Sequence, residues 1–324
     1  MQALIQSGYG DPREVLRLGE VPVPTPGDDE VLVRVAASSA NPWDWHYVRG
    51  WPLLMRPVGL GGPLRPKFQI PGGDVAGTVE QVGARVTGLA AGDEVYGFGH
   101  GAFAEFVSIP QERLARKPAN LTMEDAAAVP LGAITALQGL RVGGLQPGWS
   151  VLIVGASGGV GTFAVQLAKH MGAVVTGVCS TTHLDMVRGL GADHVLDYTA
   201  RDITTGPAEY DLALQLGGTY SPVALRRRLV PRGTLIQSYG DGGRLVGPLG
   251  SILLAFVLNR FGSQTLRSFE AKESTEALDE LRDLIEAGHL KPVIDRTYPL
   301  ARGAEAIHLV ERGSPGGKVL VTIQ

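Results

Sequence analysis

Residues 151–161 read VLIVGASGGVG, four apolar residues running straight into a glycine-rich turn, with a helical pattern over 160–171 behind it. A strand, a glycine turn and a helix in that order can hold a diphosphate. The first glycine permits the sharp bend, the next lets the backbone approach the anion, and the last lets the helix pack closely on the sheet. Unpaired N–H groups at the positive helix end then face the charge. Gly155, Gly158 and Gly161 fill those three places. Ser157, Gly159 and Val160 complete the cradle, and the serine hydroxyl adds a donor. The same run also spells G-x-S-x-G, which on another fold presents a nucleophilic serine, and Asp295 and His308 follow in the order a Ser-Asp-His triad needs. The glycine at 161 has no task in such a serine turn, and a long, mainly β segment precedes it. The diphosphate is the better fit.

At the end of the next strand, about 20 residues past the turn, an NAD site carries an acid that holds the ribose 2'-hydroxyl. Here the chain has Cys179, Ser180, Thr181 and Thr182, with Tyr198 further on. Hydroxyls at Ser180, Thr181 and Tyr198 leave room for a 2'-phosphate, so NADPH is expected ahead of NADH, although no Arg or Lys follows in this stretch. Ser180 and Thr181 equally suit the cap of a helix starting near His183. A second group of reactive types lies in residues 41–51, NPWDWHYVRGW, which read as a loop. Asn41 offers an amide, Asp44 a carboxylate for that amide or for nearby backbone, His46 an imidazole that titrates near neutrality, and Tyr47 a phenol. Trp43, Trp45 and Trp51 suit either a flat ligand or ordinary packing.

The chain that must position these groups has 324 residues, of which glycine and proline make up about a fifth, so loops are abundant. With 44% hydrophobic and 19% charged residues it can still build large cores, and its length suggests two domains. A net charge of −3 leaves no electrostatic footprint for nucleic acid. The single cysteine, Cys179, excludes an intrachain disulfide and a multi-cysteine zinc site, and fits a reducing compartment, the cytoplasm by default. The N-terminus lacks the basic start and apolar run of a secretory leader. The longest apolar stretch, residues 245–258, has 14 residues against the roughly 20 of a membrane helix, so no membrane partner is expected. That stretch is expected to form a helix covering a cleft or a subunit contact.

Up to residue 121 the texture is β, with apolar runs at 30–37, 74–82 and 104–109 broken by proline and glycine clusters. Thr122 followed by Asp125 resembles a capping box and opens an Ala-rich helix, which fits a domain boundary. From Val151 strands and helices alternate, as in a parallel sheet covered on both faces. An amphipathic helix at 275–287, a second at 301–312 and a last strand at 318–323 complete the chain. These divisions give an N-terminal part over 1–121, a nucleotide-binding domain over 122–267, and a return to the first domain over 268–324.

Taken together, Asn41-Pro42-x-Asp44, GGDVAGTVEQVG at 72–83, Gly92-Asp93-Glu94-Val95, GASGGVG, Leu190-Gly191-Ala192-Asp193 and Gly317-Lys318-Val319 span nearly the whole chain. In this it resembles the medium-chain dehydrogenase/reductase superfamily, in its zinc-free quinone oxidoreductase and zeta-crystallin-like branch. The resemblance implies an α/β protein: a doubly wound Rossmann domain inserted into a mainly β GroES-like domain built from both chain ends. Zinc members place ligands at positions that fall near Asn41, Gly73 and Leu131, none of which can bind metal, so zinc is not expected. Without a Lewis acid, an already electron-poor quinone or α,β-unsaturated carbonyl is the expected small-molecule substrate. Residues 41–51 would then face the nicotinamide, with water, His46 or Tyr47 as proton donor. The resemblance further implies that Thr135 touches the nicotinamide and that Gly217 and Gly218 pass beneath the cofactor. It also implies a homodimer formed through the Rossmann domains, while Lys318 in the closing motif reads as a surface charge. Beside the serine esterase, a catalytically inactive NADPH-binding protein is the remaining alternative.

Overall fold

The computed structural model describes all residues except 58–60, 64, 219, 239–248, 261, 314 and 324. Residues 245–248 of the apolar stretch lie outside the described residues; the rest of it belongs to a helix, Leu249–Arg260, that buries Ala255 and leaves Val257 exposed. The chain divides into two compact units, Met1–Ile134 with Glu273–Gln324, and Thr135–Lys272. The first edge lies inside the helix Pro130–Val142, later than the expected 121/122, because the Ala-rich segment 126–134 is buried with the first unit.

The second unit is a six-stranded, wholly parallel sheet. Its first strand, Ser150–Val154, sits at the centre, with Val174–Cys179 and His194–Asp197 on one side and Tyr210–Gln215, Leu229–Gln237 and Thr265–Ser268 on the other. This is the strand order of doubly wound dinucleotide-binding sheets, and it reverses direction between Ser150–Val154 and Tyr210–Gln215. Val151, Leu152 and Ile153 are fully buried, as a strand covered on both faces requires. The last two strands carry no clear sequence signal: Leu229–Gln237 contains Pro231 and Gly233 and has Arg232 at φ 71°, and Thr265–Ser268 is only four residues long.

The first unit carries a seven-stranded, mainly antiparallel sheet ordered Ile294–Pro299, Lys318–Thr322, Glu30–Ala40, Asp74–Val82, Glu94–Phe98 and Leu114–Arg116, with Phe106–Pro110 added to Glu30–Ala40. Both chain ends therefore share one core, in which Val31, Val33, Val75, Val95, Ile109, Val319 and Val321 meet. Thr122 accepts the Asp125 N–H at 3.1 Å and caps Met123–Ala127 as expected. The helix Thr275–Glu286 buries Leu278, Leu281 and Ile285 along one face.

Residues 41–51 are mostly helical and not a loop. Pro42–Arg49 forms two turns that end at Gly50 in the left-handed conformation, φ 64°. The signals were local: Pro at the first helical position, Asp three residues after the N-cap Asn41, and Gly just past the end. The density of aromatic side chains obscures them.

Candidate functional site

Each unit carries one part of the candidate machinery. In the second, Gly155 takes φ 86° directly after the central strand, which a side chain would resist, and Gly217 lies against it. A Cβ on Gly161 would stand 2.0 Å from the Gly155 carbonyl oxygen, so only glycine lets the helix Gly161–His170 start so close to the strand. A Cβ on Gly158 would meet only the same oxygen at 3.5 Å, an ordinary contact with open space beyond. Gly158 N–H is spent on Gly155, whereas the N–H groups of Ser157, Gly159 and Val160 bond to no described residue. Free amides, a ten-residue helix behind them and an open glycine face make a cradle that fits a diphosphate. It lies at the carboxyl ends of the strands where their order reverses, the place at which open α/β sheets bind ligands. Gly217 and Gly218 sit in the neighbouring turn, held by the Gln215 amide, which donates to the carbonyls of Gly218 and Tyr220 at 3.3 and 3.1 Å. A shallow concavity at the opposite, amino-terminal edge, bordered by Ser150, Val174, His194 and Tyr210, is on the wrong side of the sheet for that chemistry.

Ser180 follows the second strand, and its hydroxyl pairs with Thr182 at 3.0 Å. Thr181 donates to Asp197 at 2.6 Å and meets Thr199 at 2.9 Å, while Tyr198 is half exposed. Neither Ser180 nor Thr181 places its side chain on a helix cap. Inspection of the second strand's end alone misses Asp197, which the register sets opposite Cys179 on the next strand. The Thr181 and Thr199 hydroxyls hold its carboxyl below the usual range, so it is ionised. Thr135, the first residue of this unit, is buried in its helix.

In the first unit, strand registers assemble a buried polar cluster. Val319 pairs with Ala40 and Ser39 with Asp74, so Lys318, Asn41 and Asp74 arrive together from three distant parts of the chain. Lys318 Nζ donates to Asp74 at 2.8 Å and to Asn41 Oδ1 at 2.6 Å. The Asn41 amide donates to Asp74 at 2.9 Å, the Ser39 hydroxyl at 2.6 Å, and Leu131 N–H to its other oxygen at 2.8 Å. Lys318 is 2% exposed and Asp74 0%. The expected surface charge at Lys318 is thus wrong: the closing strand is internal to the sheet. Asn41 spends its side chain inside this cluster.

Asp44, fully buried, accepts Asn41 N–H at 2.7 Å and Gly72 N–H at 2.9 Å, tying the start of the helix to the segment that enters Asp74–Val82. Burial, only partly offset by those two donors, pushes its carboxyl up to about 7, and Asp74 adds to the rise. A raised carboxylate pKa contributes stability that is complete below the unfolded value near 4 and is lost as pH climbs through about 7. Stability is therefore expected to fall between about pH 4 and 7, and Asp44→Asn to flatten that part of the profile. Thermal midpoints read across pH would show it; equal slopes in both proteins would assign the fall to other groups.

Above this cluster the helix presents aromatic rings. Trp43 stacks on Tyr47 at 5.0 Å and on His100 at 5.1 Å, and Phe68 closes the circuit against His100 at 4.2 Å and Tyr47 at 5.7 Å. Tyr47 is 2% exposed, its hydroxyl accepts Phe68 N–H at 2.5 Å, and burial raises its pKa. His46 instead stacks on Trp45, centroids 3.5 Å apart. Phe68 and His100 escape sequence reading because they join through tertiary packing.

The esterase alternative lacks its internal bond: His308 pairs with Glu311 at 3.3 Å, and Asp295 accepts Gly316 N–H at 3.0 Å. A zinc ion does not fit either. Asn41, Gly73 and Leu131 offer no ligand set, Asp74 is saturated by Lys318 and neutral donors, and among the described residues no three His, Cys, Asp or Glu side chains gather. Among the described residues no helix is long and apolar enough to cross a membrane.

Comparison with known proteins agrees with this architecture. Residues 27–119 match the alcohol dehydrogenase GroES-like domain, and residues 190–321 match a model described as zinc-binding dehydrogenase. A chloroplastic quinone-oxidoreductase homolog of Spinacia oleracea is 33% identical over 99% of this chain and 98% of its own. A chloroplastic NADPH-dependent alkenal/one oxidoreductase of Arabidopsis thaliana is 32% identical over 99% of this chain and 79% of its own. The structure of the quinone oxidoreductase from Coxiella burnetii superposes with a TM-score of 0.87 at 25% identity, covering 100% of this chain and 99% of that one. On this evidence the chain belongs to the medium-chain dehydrogenase/reductase superfamily, within its quinone oxidoreductase branch.

Proposed function

We propose that this protein is a nicotinamide-dependent reductase of quinones or α,β-unsaturated carbonyls that prefers NADPH and works without zinc. The observation that carries the reading is the cradle of free amides at Ser157, Gly159 and Val160, at the point where the sheet reverses order. When bound, the nicotinamide supplies a hydride to the electron-poor carbon. Those amides hold the diphosphate charge, and Gly217 and Gly218 keep the neighbouring turn free of side chains. Ser180 and the exposed face of Tyr198 support a 2'-phosphate; ionised Asp197 opposes it, so the preference over NADH is modest. Relatives named as NADPH-dependent and NAD(P)H oxidoreductases favour the same cofactor class.

In the first unit Asp44, Asn41, Asp74 and Lys318 fix the helix that carries His46 and Trp43. Water or His46 serves as proton donor, since burial makes Tyr47 a weaker acid. Zinc independence rests on the donor set, in which a lysine and neutral groups already saturate the buried Asp74, and two backbone N–H groups occupy the buried Asp44. The reading includes a homodimer formed through the nucleotide-binding units and a reducing, cytoplasmic setting, where the buried Cys179, pushed up to about 11 by burial, stays a thiol. Titration with NADPH and NADH, followed by nucleotide oxidation with 1,4-benzoquinone and methyl vinyl ketone, tests cofactor and chemistry together. Binding and turnover with NADPH several-fold better than NADH is expected. Tight binding without oxidation by either acceptor would favour the inactive alternative. Light scattering on the same preparation is expected to return the mass of a dimer.

A further inference from the structure

His100 takes part in none of the roles assigned so far. It follows the strand Glu94–Phe98, and its ring lies nearly parallel to Trp43 and Phe68, at 26° and 19°, with Phe98 edge-on at 5.8 Å. Tyr47 and Phe98 are buried beneath, while Trp43, Phe68 and His100 remain half exposed. The result is a stack of near-parallel rings with one imidazole packed against both Trp43 and Phe68. Its Nδ1 is enclosed and has no hydrogen-bond partner among the described residues. A buried orphan of this kind is costly if it is an N–H that has lost its water and cheaper as a bare lone pair, so the ring proton belongs on Nε2. Burial, with Lys67 and Arg113 nearby, lowers the pKa of the ring and keeps it neutral near pH 7. The side chain thus offers one N–H donor and no charge. Such a donor, in a cluster of flat rings, matches a planar carbonyl compound.

We propose that His100 touches the substrate, its Nε2–H donating a hydrogen bond to the carbonyl oxygen of a quinone or enone held against the Trp43, Phe68 and His100 ring cluster. The proposal rests on the reductase reading above and names the group that orients its substrate. No proton transfer is required of His100: the hydrogen bond draws electron density to oxygen as the β-carbon accepts hydride, and the proton comes from elsewhere.

His100→Phe keeps a ring in the stack and removes both nitrogens, while His100→Gln restores a donor without the ring. In His100→Phe, kcat/KM for methyl vinyl ketone is expected to fall about tenfold, the size of one lost hydrogen bond, with NADPH affinity unchanged. The drop for 1,4-benzoquinone, already electron-poor, is expected to be smaller, and His100→Gln is expected to recover part of the enone activity. Wild-type kcat/KM in His100→Phe would overturn the proposal while leaving the reductase reading intact. A second measurement is independent of turnover: calorimetric titration with acetophenone, a flat carbonyl that is not an enone. Its Kd is expected to rise about tenfold in His100→Phe. Equal affinity in the two proteins, or no binding to the wild type at millimolar ligand, would overturn the proposal even if the wild type reduces neither acceptor.

Discussion

Lys318→Met is expected to lower the unfolding free energy of the first unit by about 3–5 kcal/mol, the penalty for removing one partner of a buried ion pair. The methionine matches the lysine stem in volume, so packing is nearly conserved. What changes is Asp74, left at 0% exposure with the Ser39 hydroxyl, the Asn41 amide and the Leu131 N–H but no opposite charge. Asn41 also loses the donor to its Oδ1 and with it one of the bonds that fix the start of the helix Pro42–Arg49. Urea unfolding followed by tryptophan emission reads this unit well, since Trp43, Trp45 and Trp51 belong to it and only Trp149 belongs to the other. A double variant, Lys318→Met with Asp74→Asn, is expected to regain part of the loss because the uncompensated carboxylate is gone. A change below about 1 kcal/mol, the worth of an exposed pair, would mean that the cluster is open to water.

That same cluster shows where reading residues in order reaches its limit. Alternating valines at 31, 33 and 35 and the apolar run at 151–154 announce their strands, because side-chain period and burial are local properties of a segment. The glycine turn is legible for the same reason: bend, approach and packing are each required within seven residues. Lys318 reads as a surface charge because nothing in Gly-Lys-Val shows that the strand is flanked on both sides, by Ile294–Pro299 and by Glu30–Ala40. The partner strands lie far away in sequence, and only their register makes the lysine internal. Asp197 and His100 carry no local signal for the same reason, one brought to Thr181 by a neighbouring strand and the other to Trp43 by side-chain packing. The helix Pro42–Arg49 is a different case, since its capping signals were present and were outweighed by a composition typical of a binding loop.

The last two of the three glycines in the cradle should fail in different ways, and the contrast tests whether the turn is built for a ligand or merely for packing. Gly161→Ala places a methyl group 2.0 Å from the Gly155 carbonyl oxygen and 2.8 Å from the Ala156 backbone. Backbone on both sides cannot yield without moving helix from strand, so a stability loss of about 3 kcal/mol is expected in urea unfolding, with nucleotide binding falling only as the fold does. Gly158→Asp meets no such obstacle: its Cβ has 3.5 Å to its nearest neighbour and φ lies outside the left-handed region. Folding is expected to be nearly unchanged. The carboxylate, however, enters the space in front of the free amides, where it would answer the helix dipole itself and repel a diphosphate. Like charges at such distance cost several kcal/mol, so Kd for NADPH should rise at least about a hundredfold. Unaltered NADPH affinity in a well-folded Gly158→Asp protein would remove the cradle from the mechanism, and with it the strongest argument that this chain is a nicotinamide enzyme.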